Sequence, residues 1–175
     1  MNAKSNRHQG AANVTDLQLF LTRLSKLYNA TNTHGAPCYR APAFSPALRG
    51  LGTVVATLVI LQSLGTIFTV GTHAMPAMGL ALAMGANVIV AITVYYLWRS
   101  YVQIDADGIY QTWVFPKQVK WEHVEYVKTI NIPGARRLVV RIKNGGAMGF
   151  LRSFNAGDAQ LAGVYKEIAL LFPVR

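Results

Sequence analysis

LGTVVATLVILQSLGTIFTVGT, residues Leu51–Thr72, and AMPAMGLALAMGANVIVAITVYYLW, residues Ala74–Trp98, decide how the rest of this chain is read. Neither stretch carries a charged side chain. At helical rise, about 22 residues extend roughly 33 Å, enough to cross a hydrocarbon core of about 30 Å. The pattern predicts two membrane spans, about 51–72 and 76–98, within a hairpin covering 48–101. A short turn around His73 and Pro76 joins them, and Pro76 is compatible with the first turn of the second helix. Packing both runs inside a soluble protein is the disfavoured alternative, because soluble helices average about 10–14 residues.

The totals agree. Hydrophobic residues make up 52% of the 175 and charged residues 14%, a membrane-like balance that leaves room for one small domain. The net charge of +10 is unevenly placed. Residues 1–50 hold six Lys/Arg against Asp16, residues 99–175 hold eleven against six acids, and the turn holds none. This bias predicts both termini on the cytoplasmic side. A chain this basic would otherwise point to nucleic acid. Here the spans and attraction to anionic head groups account for the charge, so a bilayer with anionic lipids is the expected partner and nucleic acid is not. The single cysteine, Cys38, excludes an intramolecular disulfide and a cysteine metal cluster. No cleavable signal is expected, because the first apolar stretch is short and interrupted by Arg23 and Lys26. Asn13-Val14-Thr15 and Asn29-Ala30-Thr31 match the glycosylation sequon but fall on the expected cytoplasmic side.

Before the hairpin, residues 1–47 divide in three. Residues 1–13 are polar, small and expected to be disordered. Residues 14–28 read as an amphipathic helix, with Leu17, Phe20, Leu21, Leu24, Leu27 and Tyr28 on one face and Thr15 with Gln18 as a capping box. That face has two readings, burial in the lipid interface or docking on the C-terminal domain or another subunit. Residues 29–47, with Pro37, Pro42 and Pro46, read as an extended linker in which His34 and Cys38 are incidental and exposed.

Inside the hairpin, Gln62 and Asn87 fall at the same depth and are expected to hydrogen-bond across it, a contact of about 0.6–2 kcal/mol. Ala77, Ala81 and Gly85 recur every fourth residue and form a small-residue face for close helix packing. Whether it meets the first span or a partner's helix stays open. Tyr95, Tyr96, Trp98 and Tyr101 form an aromatic belt at the end of the second span, with Arg99 as its charged anchor.

Residues 102–175 carry the pattern of a folded domain. Tyr101 to Asp105 alternates, Asp107-Gly108 marks a hairpin turn, and Ile109 to Phe115 alternates again. Further strands are expected at Gln118–Trp121, Val124–Ile132, Leu138–Lys143 and Ala147–Phe154, with turns at Pro133-Gly134 and Asn144-Gly145-Gly146. A helix over about 157–172 follows, ended by Pro173. The fold class is therefore α+β: a two-helix transmembrane hairpin plus a small antiparallel sheet or barrel closed by a C-terminal helix.

Asp107-Gly108-Ile109-Tyr110, Val119-Lys120-Trp121 with Val124 and Val127, and Leu138 to Lys143 before Asn144-Gly145, followed by an amphipathic helix, resemble the bacterial pleckstrin-homology-like (PH-like) domain over residues 101–172. Members of that family often follow a pair of membrane helices. The overall layout is also similar to the photosystem I assembly factor of plastids and cyanobacteria. The resemblance implies a multi-pass protein of a bacterial inner (plasma) membrane. It does not extend to a phosphoinositide site, because the first strand-to-strand turn, read here as Asp105 to Gly108, is acidic where such sites are basic.

Catalysis has no residue set behind it. Asp105 and Asp107 fail the EF-hand spacing, since Ile109, Tyr110 and Pro116 stand at its fifth, sixth and twelfth positions. Glu122, His123 and Glu125 are split between faces by alternation. Asn144-Gly145-Gly146 lacks the Lys and Ser/Thr of a phosphate loop. Lys117, Lys120, Arg136, Arg137, Arg141 and Lys143 are the candidate binding residues, for anionic lipid or an acidic partner surface, with a solvated rim as the bland alternative. The expectation is a non-catalytic accessory, scaffold or assembly protein of a larger membrane complex. It has no cofactor and no small-molecule substrate, and its partners are other membrane protein subunits. The alternative is an anionic-lipid sensor or adaptor.

Overall fold

The two uncharged runs form the two longest helices of the chain. In the computed structural model, which describes residues 8–32, 34–71, 76–132, 135–143 and 151–173, helix α2 spans Pro46–Val70 and helix α3 spans Ala77–Arg99. The turn around His73, Pro133-Gly134 and Asn144-Gly145-Gly146 lie outside the described residues. Helix α2 starts earlier than the charge-free run because Ser45 caps it. The Ser45 hydroxyl accepts from Leu48 N, and Pro46 takes the first helical position, where no amide donor is needed. Both helices are long and apolar enough to cross a membrane. Their outward side chains are apolar, with Leu51 62%, Phe68 83% and Met78 75% exposed. Their threonines turn inward on their own backbone: Thr53, Thr57, Thr66 and Thr93 donate to the carbonyls of Arg49, Thr53, Gln62 and Ile89 at 2.8–3.0 Å. That leaves few unmet hydroxyls on the helix surface.

The seam between α2 and α3 differs from the expected one. Asn87 donates to Ser63 Oγ at 2.8 Å and to Ala83 O at 3.0 Å, whereas Gln62 is exposed. The depth was read correctly to one residue, but one residue is about 100° of helix rotation, enough to turn Gln62 out of the seam. Ala77, Ala81 and Gly85 are likewise exposed, and space is open beside Gly85, so this face points away from α2. The close approach is at Gly52, where a Cβ would meet Leu97 at 2.6 Å, and nearby Trp98 Nε1 donates to Thr53 Oγ1 at 2.9 Å.

The hairpin grows out of a sheet. Strands β1 (Ala30–Thr31) and β2 (Pro37–Pro42) precede it, and β3 (Tyr101–Ile104), β4 (Gly108–Gln111) and β5 (Lys117–Lys120) follow. They form one antiparallel sheet in that order, with Pro42 opposite Tyr101 and Tyr39 opposite Ile104. Residues 29–47 are therefore no free linker, and Cys38 is fully buried instead of exposed. Strands β6 (Val124–Ile132), β7 (Ala135–Ile142) and β8 (Leu151–Ala156) form a second antiparallel sheet. The two sheets pack face to face and do not close into a barrel. Gln111, buried, ties them by accepting from Asn155 N at 3.0 Å.

Helix α4 (Ala159–Leu171), capped by Asp158 on Leu161 N at 2.7 Å, packs on the second sheet and buries Leu161, Val164, Tyr165 and Ile168. Phe172 stacks on Trp121 with ring centroids 6.0 Å apart. The amphipathic helix α1 covers His8–Leu24, so Thr15 lies inside it and not at its start, and residues 8–13 are helical. Its apolar face is not left for lipid: Phe20, Leu21 and Leu24 are buried in the same core as α4. Of the two readings of this face, the structure shows docking on the domain.

The Asp105 to Gly108 turn is as read. Asp105 Oδ1 accepts from Asp107 N and Gly108 N at 3.1 and 3.0 Å, and Trp121 Nε1 donates to Asp105 O at 2.9 Å. Because β2 precedes β3, this turn is the second connection in the run β2 to β5, not the first.

Candidate functional site

Three arginines meet where the helices leave the sheet. Arg40 is on β2, Arg49 is in the first turn of α2, and Arg99 is the last residue of α3. Together with Ala41, Pro42, Trp98, Ser100 and Tyr101 they line an open recess of about 470 Å³.

Each arginine is placed by its neighbours. Asn29 acts as a short extra strand for Arg40: its side-chain oxygen accepts from Arg40 N at 2.9 Å and its amide donates to Arg40 O at 3.0 Å. The Arg40 guanidinium lies 3.4 Å from the centre of the Tyr101 ring. Arg49 lies 5.8 Å from the Trp98 ring, itself pinned to Thr53, and Arg99 lies 6.0 Å from Tyr95. Such stacking leaves the guanidinium edges free to donate. None of the three forms an ion pair among the described residues, and no carboxylate lines the recess. Arg49 Nε is sealed from solvent and has no hydrogen-bond partner among the described residues.

The joint around this recess is tight. Ser100 is buried: its N donates to Tyr96 O at 2.9 Å, its O accepts from Ala43 N at 3.1 Å, and its hydroxyl donates to Thr112 O. Tyr101 N donates to Thr112 Oγ1 at 2.9 Å. Gly157 N donates to Pro42 O at 3.0 Å, and any Cβ on Gly157 would collide with Pro42 O. An aromatic group encloses the same end. Phe44 and Trp113 rings are 5.0 Å apart, Tyr96 and Trp113 are 6.4 Å apart, and Val114 and Phe115 beside them are exposed, Phe115 by 78%. Tyr95, Trp98 and Arg99 are exposed here too, with Tyr96 and Tyr101 half-buried, so the expected belt is one patch enlarged by the β4–β5 turn.

No protein-family model, curated protein or solved structure matches this chain.

The six basic residues singled out from the sequence are not brought together. Lys117 donates to Ser153 O at 3.3 Å, bridging the sheets. Lys120 pairs with Glu122 at 3.9 Å between exposed side chains, a contact of little energetic weight. Arg141 is held by Glu125 at 3.1 Å and lies 5.6 Å from the Tyr126 ring. Lys143 sits near His123, whose carbonyl accepts its N at 2.7 Å. Arg136 and Arg137 are exposed, opposite Ala156 and Asn155, near Gly157 and so at the hairpin end of the domain. Trp121–His123 form a 3-10 turn, so alternation does not separate Glu122 from His123, which lie 3.7 Å apart at the exposed surface, while Glu125 pairs with Arg141 instead.

Sequence reasoning missed Arg40 and Arg49 as site residues. Arg49 carried a usable signal, being the last charge before an apolar run. Arg40 carried none, because it sits in a segment whose prolines hide a strand.

Proposed function

We propose that this chain is a two-span membrane protein with both termini cytoplasmic, acting without catalysis as a scaffold or assembly factor that presents a PH-like domain to other membrane protein subunits. The inner membrane of a bacterium is the setting that the resemblance implies. The order of strands supports the PH-like reading: four strands, β2 to β5, then three, β6 to β8, then a closing helix. In that reading the hairpin occupies the connection between the domain's first two strands.

One observation carries the scaffold reading. The spans leave from adjacent, hydrogen-bonded strands at Pro42 and Tyr101, and buried Ser100 locks the second span to the sheet. A domain joined to the bilayer at two neighbouring points has little freedom to swivel. It presents one fixed set of faces to whatever assembles beside it. The exposed Val114 and Phe115 lie at the same end, where an apolar loop fits the head-group region.

Insertion of a flexible Gly/Ser segment of about ten residues between Arg99 and Ser100 tests this. The variant should still insert and fold yet lose the membrane proteins that co-purify with the wild type in mild detergent. Recovery of the same partners in the same yield would overturn the rigid-presentation argument. The sensor alternative is favoured by a separate observation, the arginine recess.

A further inference from the structure

We propose that the recess between β2 and the roots of α2 and α3 binds the phosphodiester head group of an anionic diacyl phospholipid, gripped by Arg40, Arg49 and Arg99, with its acyl chains along α3. The proposal rests on the membrane-span reading and adds a ligand to it.

Four observations converge. First, three guanidinium groups face one recess with no carboxylate among its lining residues, so the site selects anions. Second, Arg49 Nε is buried and unpartnered, a costly state for a charged donor unless an acceptor arrives. Third, the cations are held in place before binding, Arg40 on Tyr101 and backed by Asn29, and Arg49 beside Trp98, itself fastened to Thr53. Such preorganisation removes part of the ordering cost of binding. Fourth, the recess opens beside an apolar wall. Trp98 lines the recess, and Tyr95 and Ile92 lie one and two turns back from Arg99 on its face of α3; the three are 53%, 57% and 46% exposed. A ligand satisfying both halves is charged at one end and apolar at the other, which distinguishes a lipid from free phosphate.

The test uses the full chain in dodecyl maltoside, titrated with dioleoyl phosphatidylglycerol or dioleoyl phosphatidylcholine and read by native mass spectrometry. The wild type should hold phosphatidylglycerol about tenfold more tightly, as expected for one or two charge-assisted hydrogen bonds. Arg40→Gln and Arg49→Gln should each bring the two lipids close to equal. Arg49→Lys keeps the charge but lacks Nε, and should lose most of the preference too. A charge-matched control, Lys128→Gln, should keep it. Should Arg49→Gln fail to fold, Arg40→Gln on its exposed strand position carries the same comparison.

Equal retention of both lipids by the wild type, or an unchanged preference in the recess variants, overturns the proposal. Full displacement of the lipid by millimolar glycerol phosphate also overturns it, in favour of a soluble anion. Flotation with phosphatidylcholine vesicles separates the two levels. A chain that does not float removes the membrane reading itself. A chain that floats without preferring phosphatidylglycerol removes only the lipid site.

Discussion

The side-chain amide of Asn87 on α3 reaches the hydroxyl of Ser63 on α2 at 2.8 Å, the one side-chain hydrogen bond that joins the middles of the two apolar helices among the described residues. Between helices without water, such a bond contributes about 0.6–2 kcal/mol. A double-mutant cycle on Ser63→Ala and Asn87→Leu in bicelles should give favourable coupling of that size. The same cycle on Gln62→Leu and Asn87→Leu should be additive. Coupling to Gln62 with none to Ser63 would reverse the assignment of the seam.

The β4–β5 turn should report the membrane. Phe115 is 78% exposed next to the aromatic cluster of Phe44, Tyr96 and Trp113. An environment-sensitive fluorophore on Phe115→Cys, in a Cys38→Ala background, should emit to the blue in vesicles and be quenched by lipid-borne quenchers. The same probe on Glu122→Cys, at the far end of β5, should behave as in water. Water-like emission from both positions would detach this turn from the bilayer.

Cys38 should be unreactive. It is fully buried, and burial first, with the nearby Asp105 charge second, holds its thiol above the usual range. Less thiolate and no access both slow alkylation. A maleimide should fail to label it in intact cells and after lysis alike, and should label it only on unfolding. The topology therefore needs another reporter. Glu122→Cys with Cys38→Ala should be protected from an impermeant maleimide in intact cells and labelled after lysis. Labelling before lysis would contradict cytoplasmic termini.

Alkali should weaken the domain through its buried tyrosines. Burial, helped by Asp158, pushes the Tyr39 phenol up to about 12, and burial also raises Tyr165. A phenol raised in the folded state contributes stability that is intact below about pH 10, the unfolded value, and is lost as pH climbs toward 12. The loss is up to about 1.4 kcal/mol per pH unit for each such tyrosine. Tyr39→Phe should flatten the fall in chemical-denaturation stability between pH 10 and 12. An equal slope in the variant would show that Tyr39 ionises freely.

Local chemistry made much of this fold readable. Charge-free length marked α2 and α3, Asp107-Gly108 marked the β3–β4 turn, and apolar spacing marked the face of α4. The rest depends on contacts distant in sequence. Strand β2 has prolines at both ends, and its neighbour β3 lies beyond the whole hairpin, so no short window shows that Tyr39 pairs with Ile104. The same distance hid Arg40 and Arg49 from Arg99. Among the basic residues, no short window showed that Arg136 and Arg137 stand opposite Ala156 and Asn155 at one end of β7, away from Arg141 at the other.

The pairing of Pro42 with Tyr101 also sets an order of events during synthesis. Strand β2 leaves the ribosome before either long helix, and β3 leaves it after both. Until the helices have come together the two strands are far apart, and β2 waits with one edge open. Helix pairing thus closes the loop on which the sheet depends. A chain whose hairpin went astray would keep Tyr39 and Ala41 uncovered and the core shared by α1 and α4 unfinished. The domain's own completion then serves as quality control on the helices, since an unfinished core is what chaperones and proteases recognise.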